Sequence, residues 1–222
     1  MNWSKKLFKK ENTTNIIEKY KEYRKISKEL NNEIIKTCLD RDVFLKSSSL
    51  LGAVKGDILV LDNEDEMNIL MDFALHEYKI NKQSTIEIYR EKIGGENEIK
   101  KEILDAFVSS YTSLFKIISI SKTEKSLILN DILNTKDNIN IIDRALSKSV
   151  EPGVLLFIRI VSFKDFNMSA GILFAFYGEL EKNLLKKYKQ LSKKVKSDSD
   201  SVQRFVSFYK LSKTDGIQVK YS

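Results

Sequence analysis

Residues 114–177 consist of short runs of β-branched and aromatic residues broken only by turn chemistry, while the sequence on either side reads as charged amphipathic helix. A change of hydrophobic period in mid-chain restricts the fold to an α+β protein whose N-terminal and C-terminal helices surround a small β-module. Phe115, Ile117, Ile118 and Ile120 form the first strand run, and Leu127, Ile128 and Leu129 return as its hairpin partner across Thr123-Glu124-Lys125. Ile139, Ile141 and Ile142 follow the polar turn 134–138. The only proline opens the run 154–163, which reads as buried on both faces, and 166–169 turns the chain into 171–177. Five short strands suit a small antiparallel SH3-like barrel, since closing the sheet removes its exposed edges.

The flanks carry helical spacing. Thr13 or Thr14 is an N-cap candidate for a helix over 14–39, with Ile16, Ile17, Tyr20, Tyr23, Leu30 and Ile34 on its apolar side. Ser47-Ser48-Ser49 and Gly52 punctuate, and 57–61 reads as a strand. Met67, Leu70, Met71, Ala74, Leu75 and Tyr78 share one face of the next helix, whose start is acidic. Further helices are expected over 83–93 and 96–110, split by Gly94-Gly95. Leu180, Leu184, Leu185, Tyr188, Leu191 and Val195 define a basic helix; 197–201 is a hinge and new cap, a last helix follows, and 217–221 is a terminal strand. The chain thus divides into a helical segment 1–55, a strand and helices 56–112, the barrel 113–177, and basic helices 178–222.

No run approaches the roughly 18–20 uncharged apolar residues needed to span a bilayer. The basic start is followed by neither an apolar core nor a cleavage site, so a cytoplasmic protein is expected. With one Cys and one His, the chain has no internal disulfide and no Cys/His set for structural zinc; Cys38 reads as a small core residue. Gly94-Gly95 lacks the surroundings of a phosphate loop, and Ser109, Ser110 and Ser169 lack the glycine-flanked elbow of a hydrolase nucleophile. No cofactor is expected.

Lys and Arg number 38 against 31 Asp and Glu, a formal charge of +7 that favours nucleic acid or another polyanion as partner. The cations concentrate at Lys182, Lys186, Lys187, Lys189, Lys193, Lys194 and Lys196, on a helix with few acids, which suits phosphate neutralisation independent of sequence. A solvated exterior over an apolar stripe is the plainer reading of the same lysines. Lys5, Lys6, Lys9 and Lys10 add to the field if the termini lie together. Arg159, Lys164, Phe166 and Tyr177 are candidates for a cationic and aromatic contact surface on the barrel.

Two alternatives compete with polyanion binding. A protein partner docked on apolar helix or barrel surface is one. The other is a metal-assisted hydrolase using Asp62, Glu64, Asp65 and Asp72 as oxygen ligands, with His76 one turn after Asp72 as acid or base. Capping and dipole complementarity is the simpler account of that acidic run, whose residues point in different directions on a helix.

The segments Leu61-Asp62-Asn63-Glu64-Asp65-Glu66-Met67-Asn68-Ile69-Leu70-Met71-Asp72-Phe73 and Pro152-Gly153 through Arg159 to Phe163-Lys164-Asp165-Phe166-Asn167-Met168-Ser169-Ala170-Gly171 carry a resemblance. In the order acidic-capped helix, further helices, small barrel, residues 56–177 are similar to an uncharacterised group of bacterial proteins, some of which append a SEC-C zinc motif. The cysteines of that motif are absent here, and the resemblance implies no activity. The expectation is a non-catalytic binding or adaptor protein; the oligomeric state stays open.

Overall fold

The computed structural model describes residues 3–56, 58–134 and 137–219, with side chains from residue 15 onward apart from those gaps. Helix α1 is Trp3–Cys38. It starts well before Thr13 and Thr14, so neither is a cap; the preceding lysines favour helix continuation. Lys5, Lys6, Lys9 and Lys10 have side chains outside the described residues. Asp40 caps α2, Arg41–Leu51, which ends at Gly52 with φ of 76°. The three serines read as punctuation lie inside α2. Ser47 and Ser48 are fully buried, and the Ser48 hydroxyl donates to the Phe44 carbonyl at 2.7 Å, so small hydroxyls let this helix pack closely.

A two-residue hairpin, β1 Val54–Lys55 with β2 Ile58–Leu59, takes the place of the strand expected over 57–61, of which Asp57 lies outside the described residues. Asn63 accepts from the Glu66 N–H at 3.2 Å and starts α3, Glu64–Asp72, which passes directly into a π-helical turn, Phe73–Glu77. A second short hairpin, β3 Lys79–Ile80 and β4 Gln83–Ser84, turns through Asn81 and Lys82 at positive φ. A Ser84/Glu87 capping box then opens α4, Thr85–Lys92, and Asn97 caps α5, Glu98–Val108.

The barrel comprises β5 Tyr111–Ser121, β6 Ser126–Asp131, β7 Ile139–Ile142, β8 Leu155–Ser162 and β9 Asn167–Phe176, with the short helix α6, Leu146–Ser149, between β7 and β8. It closes in the order β5-β6-β7-β9-β8, with β8 pairing back to β5. Every seam is antiparallel except β7 with β9, where Ile142 pairs with Met168 in parallel. That seam is where the barrel departs from an all-antiparallel SH3-like sheet. The connectivity is a five-stranded Greek key of the OB type, which by itself assigns no function. After β9 come α7, Glu181–Ser192, and α8, Asp200–Asp215, capped by Ser199; Ile217 adds one bridge to Ala175, and 220–221 of the expected terminal strand lie outside the described residues.

Strand β8 is buried on both faces from Leu155 to Val161, and its two faces do different work. Leu156, Ile158 and Ile160 fill the barrel with Phe115, Ile117, Leu127 and Leu129. On the outer face Leu155 and Phe157 pack with Phe205 and Phe208 of α8, while Val161 packs with α1, α4 and α5 residues including Leu30, Tyr89 and Phe107. Arg159 sits between those two apolar patches on the same outer face, by strand alternation. Cys38 is half-buried beside the helical core. Among the described residues no helix is long and apolar enough to cross a membrane.

Candidate functional site

Helix α7 exists because its apolar side is paired with α8: Leu184 is buried, and the Tyr188 ring stacks on Phe208 with centroids 5.0 Å apart. The opposite side carries Lys182, Lys186, Lys189 and Lys193. Their spacings of four, three and four residues keep all of them on one stripe of an α-helix. Together with Leu185 and Gln190 they line a shallow groove of about 480 Å³. All four are exposed, and none makes an ion pair among the described residues.

The remaining lysines of the basic segment separate from this stripe. Lys187 turns toward α8 and donates to both Asp215 carboxylate oxygens, at 2.7 and 2.9 Å. Lys194 and Lys196 follow the helix end and are exposed. Four cations therefore share one surface, a fifth is neutralised locally, and two lie beyond the helix.

Arg159 has a different environment. Only 1% exposed, its Nε contacts both Asp72 oxygens at 3.2 Å, and its Nη2 donates at 2.8 Å to Asp72 and to Glu77. Thr112 donates to the same Glu77 oxygen, and Arg159 Nη1 reaches the Ser110 hydroxyl at 3.4 Å. The guanidinium is consumed inside the protein and presents no charge to a ligand outside. In a regular α-helix, residues five apart diverge by roughly 140° around the axis. The π-helical turn, whose Tyr78 N–H donates to the Phe73 carbonyl five residues back, brings Asp72 and Glu77 to one guanidinium.

Gly171 completes this arrangement. The β8–β9 register shifts between Ile158 and Arg159, leaving a bulge on β9, and Gly171 occupies it with φ of +71°. A Cβ there would lie 1.8 Å from Asp72 Oδ1, so glycine is required by backbone and by space. Burial raises the Asp72 pKa against the pull of Arg159. Burial pushes Glu77 upward as well, but Arg159, the Ser201 hydroxyl and Arg204 together hold it below the usual carboxylate range.

His76 lies beside this centre, with Nε2 4.0 Å from Asp72 Oδ1 and Nδ1 3.3 Å from the Ser110 hydroxyl. The order carboxylate, imidazole, hydroxyl invites comparison with a hydrolytic triad, and the hydrogen bonds argue otherwise. Asp72 is spent on Arg159, while Ser110 donates to the Phe107 carbonyl at 2.6 Å. Burial, then Arg159, lowers the His76 pKa well below 6.5, keeping a neutral ring packed edge-on against Phe107.

The acidic run fans out. Asp62 pairs with Lys213 at 2.8 Å, and Glu66 reaches back to the Asp62 N–H and also pairs with Lys213. Glu64 and Asp65 are exposed in the first turn, whereas Asp72 faces Arg159. Among the described residues no cluster of three or more His, Cys, Asp or Glu is disposed to hold a metal ion. The geometry that a hydrolase using Asp62, Glu64, Asp65, Asp72 and His76 requires is not assembled.

The proposed barrel contact surface also divides. Lys164 is exposed on the tight turn between β8 and β9, and Tyr177 is 55% exposed. Phe166 is buried against Tyr20 and Tyr23 of α1, at centroid distances of 6.4 and 5.7 Å, so α1 covers this end of the barrel. Sequence reasoning missed Glu77, Thr112 and Gly171 as partners. A signal was present: one arginine in a strand with no exposed face must be buried, and a buried charge requires carboxylate partners.

Residues 14–222 match the model of a family described as a family of unknown function (DUF7986). No curated protein matches. No solved structure matches.

Proposed function

Starting from the fact that the chain belongs to DUF7986, a family of unknown function, we propose that it is a non-catalytic binding protein that tracks a polyanion, nucleic acid in particular, along α7. The observation that carries this reading is the stripe of Lys182, Lys186, Lys189 and Lys193, exposed and unpaired along one groove. From first to last these side chains span roughly 16 Å of helix axis, the length of several phosphates on one strand. Their flexible ammonium groups suit phosphate contact without base readout.

The test is the salt dependence of oligonucleotide binding, followed by fluorescence anisotropy. Four phosphate contacts give a slope of log K against log salt of about −3. Neutralising the stripe as K182Q/K186Q/K189Q/K193Q takes the slope toward zero, whereas K187Q, which touches only the Asp215 pair, leaves most of it. Binding with little salt dependence in the parent contradicts the reading and favours a protein partner on an apolar surface.

A further inference from the structure

A second group of cations converges far from α7 in sequence and shares no lining residue with its groove. Lys21, Arg24, Lys25 and Lys28 follow helical spacing on α1, and together with Arg144, beside the start of α6, they line an open cavity of about 380 Å³. Arg24 is fixed in place. Its Nη1 donates to the Ser169 carbonyl at 2.9 Å, its guanidinium lies over the Tyr20 ring at 5.8 Å, and Asp143 stands 3.9 Å away.

Asp143 is the one carboxylate in the cavity wall, and its oxygens are already engaged. Oδ1 accepts from the Ala145 and Leu146 N–H groups at 2.9 Å, and Oδ2 accepts from the Ser169 hydroxyl. Five cations therefore face one buried, occupied anion. Lys21, Lys25, Lys28 and Arg144 are exposed, and none of the four makes an ion pair among the described residues. Other lysines do find carboxylates: Lys19 pairs with Asp165, Lys79 with Glu87, Lys100 with Glu33 and Lys116 with Glu181. Cations gathered in excess of their counter-charge repel one another, and an anion seated among them relieves that repulsion.

We propose that this cavity between α1 and the β7–α6 connection binds a compact ligand carrying two or more phosphate groups. The volume lies within the ~300–1,000 Å³ typical of small-molecule sites, and Arg144 adds a cation from the β7–α6 connection opposite the α1 stripe. Arg24 supplies a pre-positioned planar fork for phosphate oxygens, and the lysines supply mobile point charges around it. Tyr20 is buried beneath Arg24, so recognition falls on the phosphates and not on a stacked base.

Isothermal titration of the full chain with inorganic pyrophosphate, at constant ionic strength, tests this site. Saturable binding is expected, weakened at least tenfold in K21Q/K25Q/K28Q, whose changed residues are exposed and unpaired, and also in R144Q. The variant K182Q/K186Q/K189Q/K193Q is expected to keep parental pyrophosphate affinity, which separates this proposal from the α7 reading. Competition by a nucleoside triphosphate alone supports a free nucleotide as the source of phosphate; competition by a 5′-phosphorylated but not an unphosphorylated oligonucleotide supports a strand end. No saturable heat up to about 10 mM, or an unchanged Kd in K21Q/K25Q/K28Q, overturns the proposal.

Discussion

The α7 stripe and the Arg159 centre use cationic side chains in opposite ways. On α7 the charges remain in water, unpaired, on a helix whose stability comes from its other face. At Arg159 the charge is withdrawn from water and held by two carboxylates that a π-helical turn has brought together. A cation in water is available to a ligand and contributes little to folding, whereas a buried one is unavailable and costly to disturb. The comparison teaches that charge count alone identifies neither role; which face the residue occupies decides it.

The largest expected effect lies at the buried end. Arg159→Ala leaves Asp72 and Glu77 as uncompensated buried charges and is expected to cost about 3–5 kcal/mol by urea denaturation. The triple change R159M/D72L/E77L is expected to lose less than the single one, since it removes the stranded charges. A triple variant weaker than Arg159→Ala would break this side of the comparison.

Gly171→Ala comes next. It places a methyl on Asp72 Oδ1 and an L side chain at positive φ, with an expected loss of roughly 2–3 kcal/mol in the same assay. An unchanged denaturation midpoint would show that the bulge does not depend on glycine.

His76 sharpens the contrast through pH. Its pKa is depressed in the folded state, so the unfolded chain takes up a proton first as pH falls. The stability from the neutral ring is complete above pH ~6.5 and declines below it, by at most about 1.4 kcal/mol per pH unit, until the folded-state pKa is reached. Glu77, also depressed, is expected to add loss in the same direction at lower pH. The parent is therefore expected to lose more stability than His76→Gln between about pH 7 and pH 5; equal losses would remove His76 from the account.

The smallest stability effect is expected on α7. K182Q/K186Q/K189Q/K193Q should stay within about 0.5 kcal/mol of the parent, because no partner is stranded. A large loss would mean the lysines support the fold.

Much of this architecture is legible in the residues. The apolar spacing of Met67, Leu70 and Leu75 marks α3 and the turn after it, and the unbroken run Leu155–Val161 marks a strand without an exposed face. Less legible are features that depend on distant partners. Ser47 and Ser48 look like a break because serine is indifferent to helix interiors, and only packing on the α2 face makes them helical. Asn167 and Ser169 look like turn residues, yet they belong to β9, which runs on through Gly171 because a bulge absorbs the glycine. The lysine stripe follows from spacing alone, but the withdrawal of Lys187 depends on Asp215, in the next helix.

Lysine-selective NMR of the full chain during titration with single-stranded DNA probes the central claim most directly, because α7 carries both kinds of lysine. The ammonium-adjacent signals of Lys182, Lys186, Lys189 and Lys193 are expected to shift together and saturate together, with Lys187 nearly still. Shifts concentrated on Lys187, or a silent α7 beside responding lysines elsewhere, would contradict a phosphate-tracking stripe on this helix.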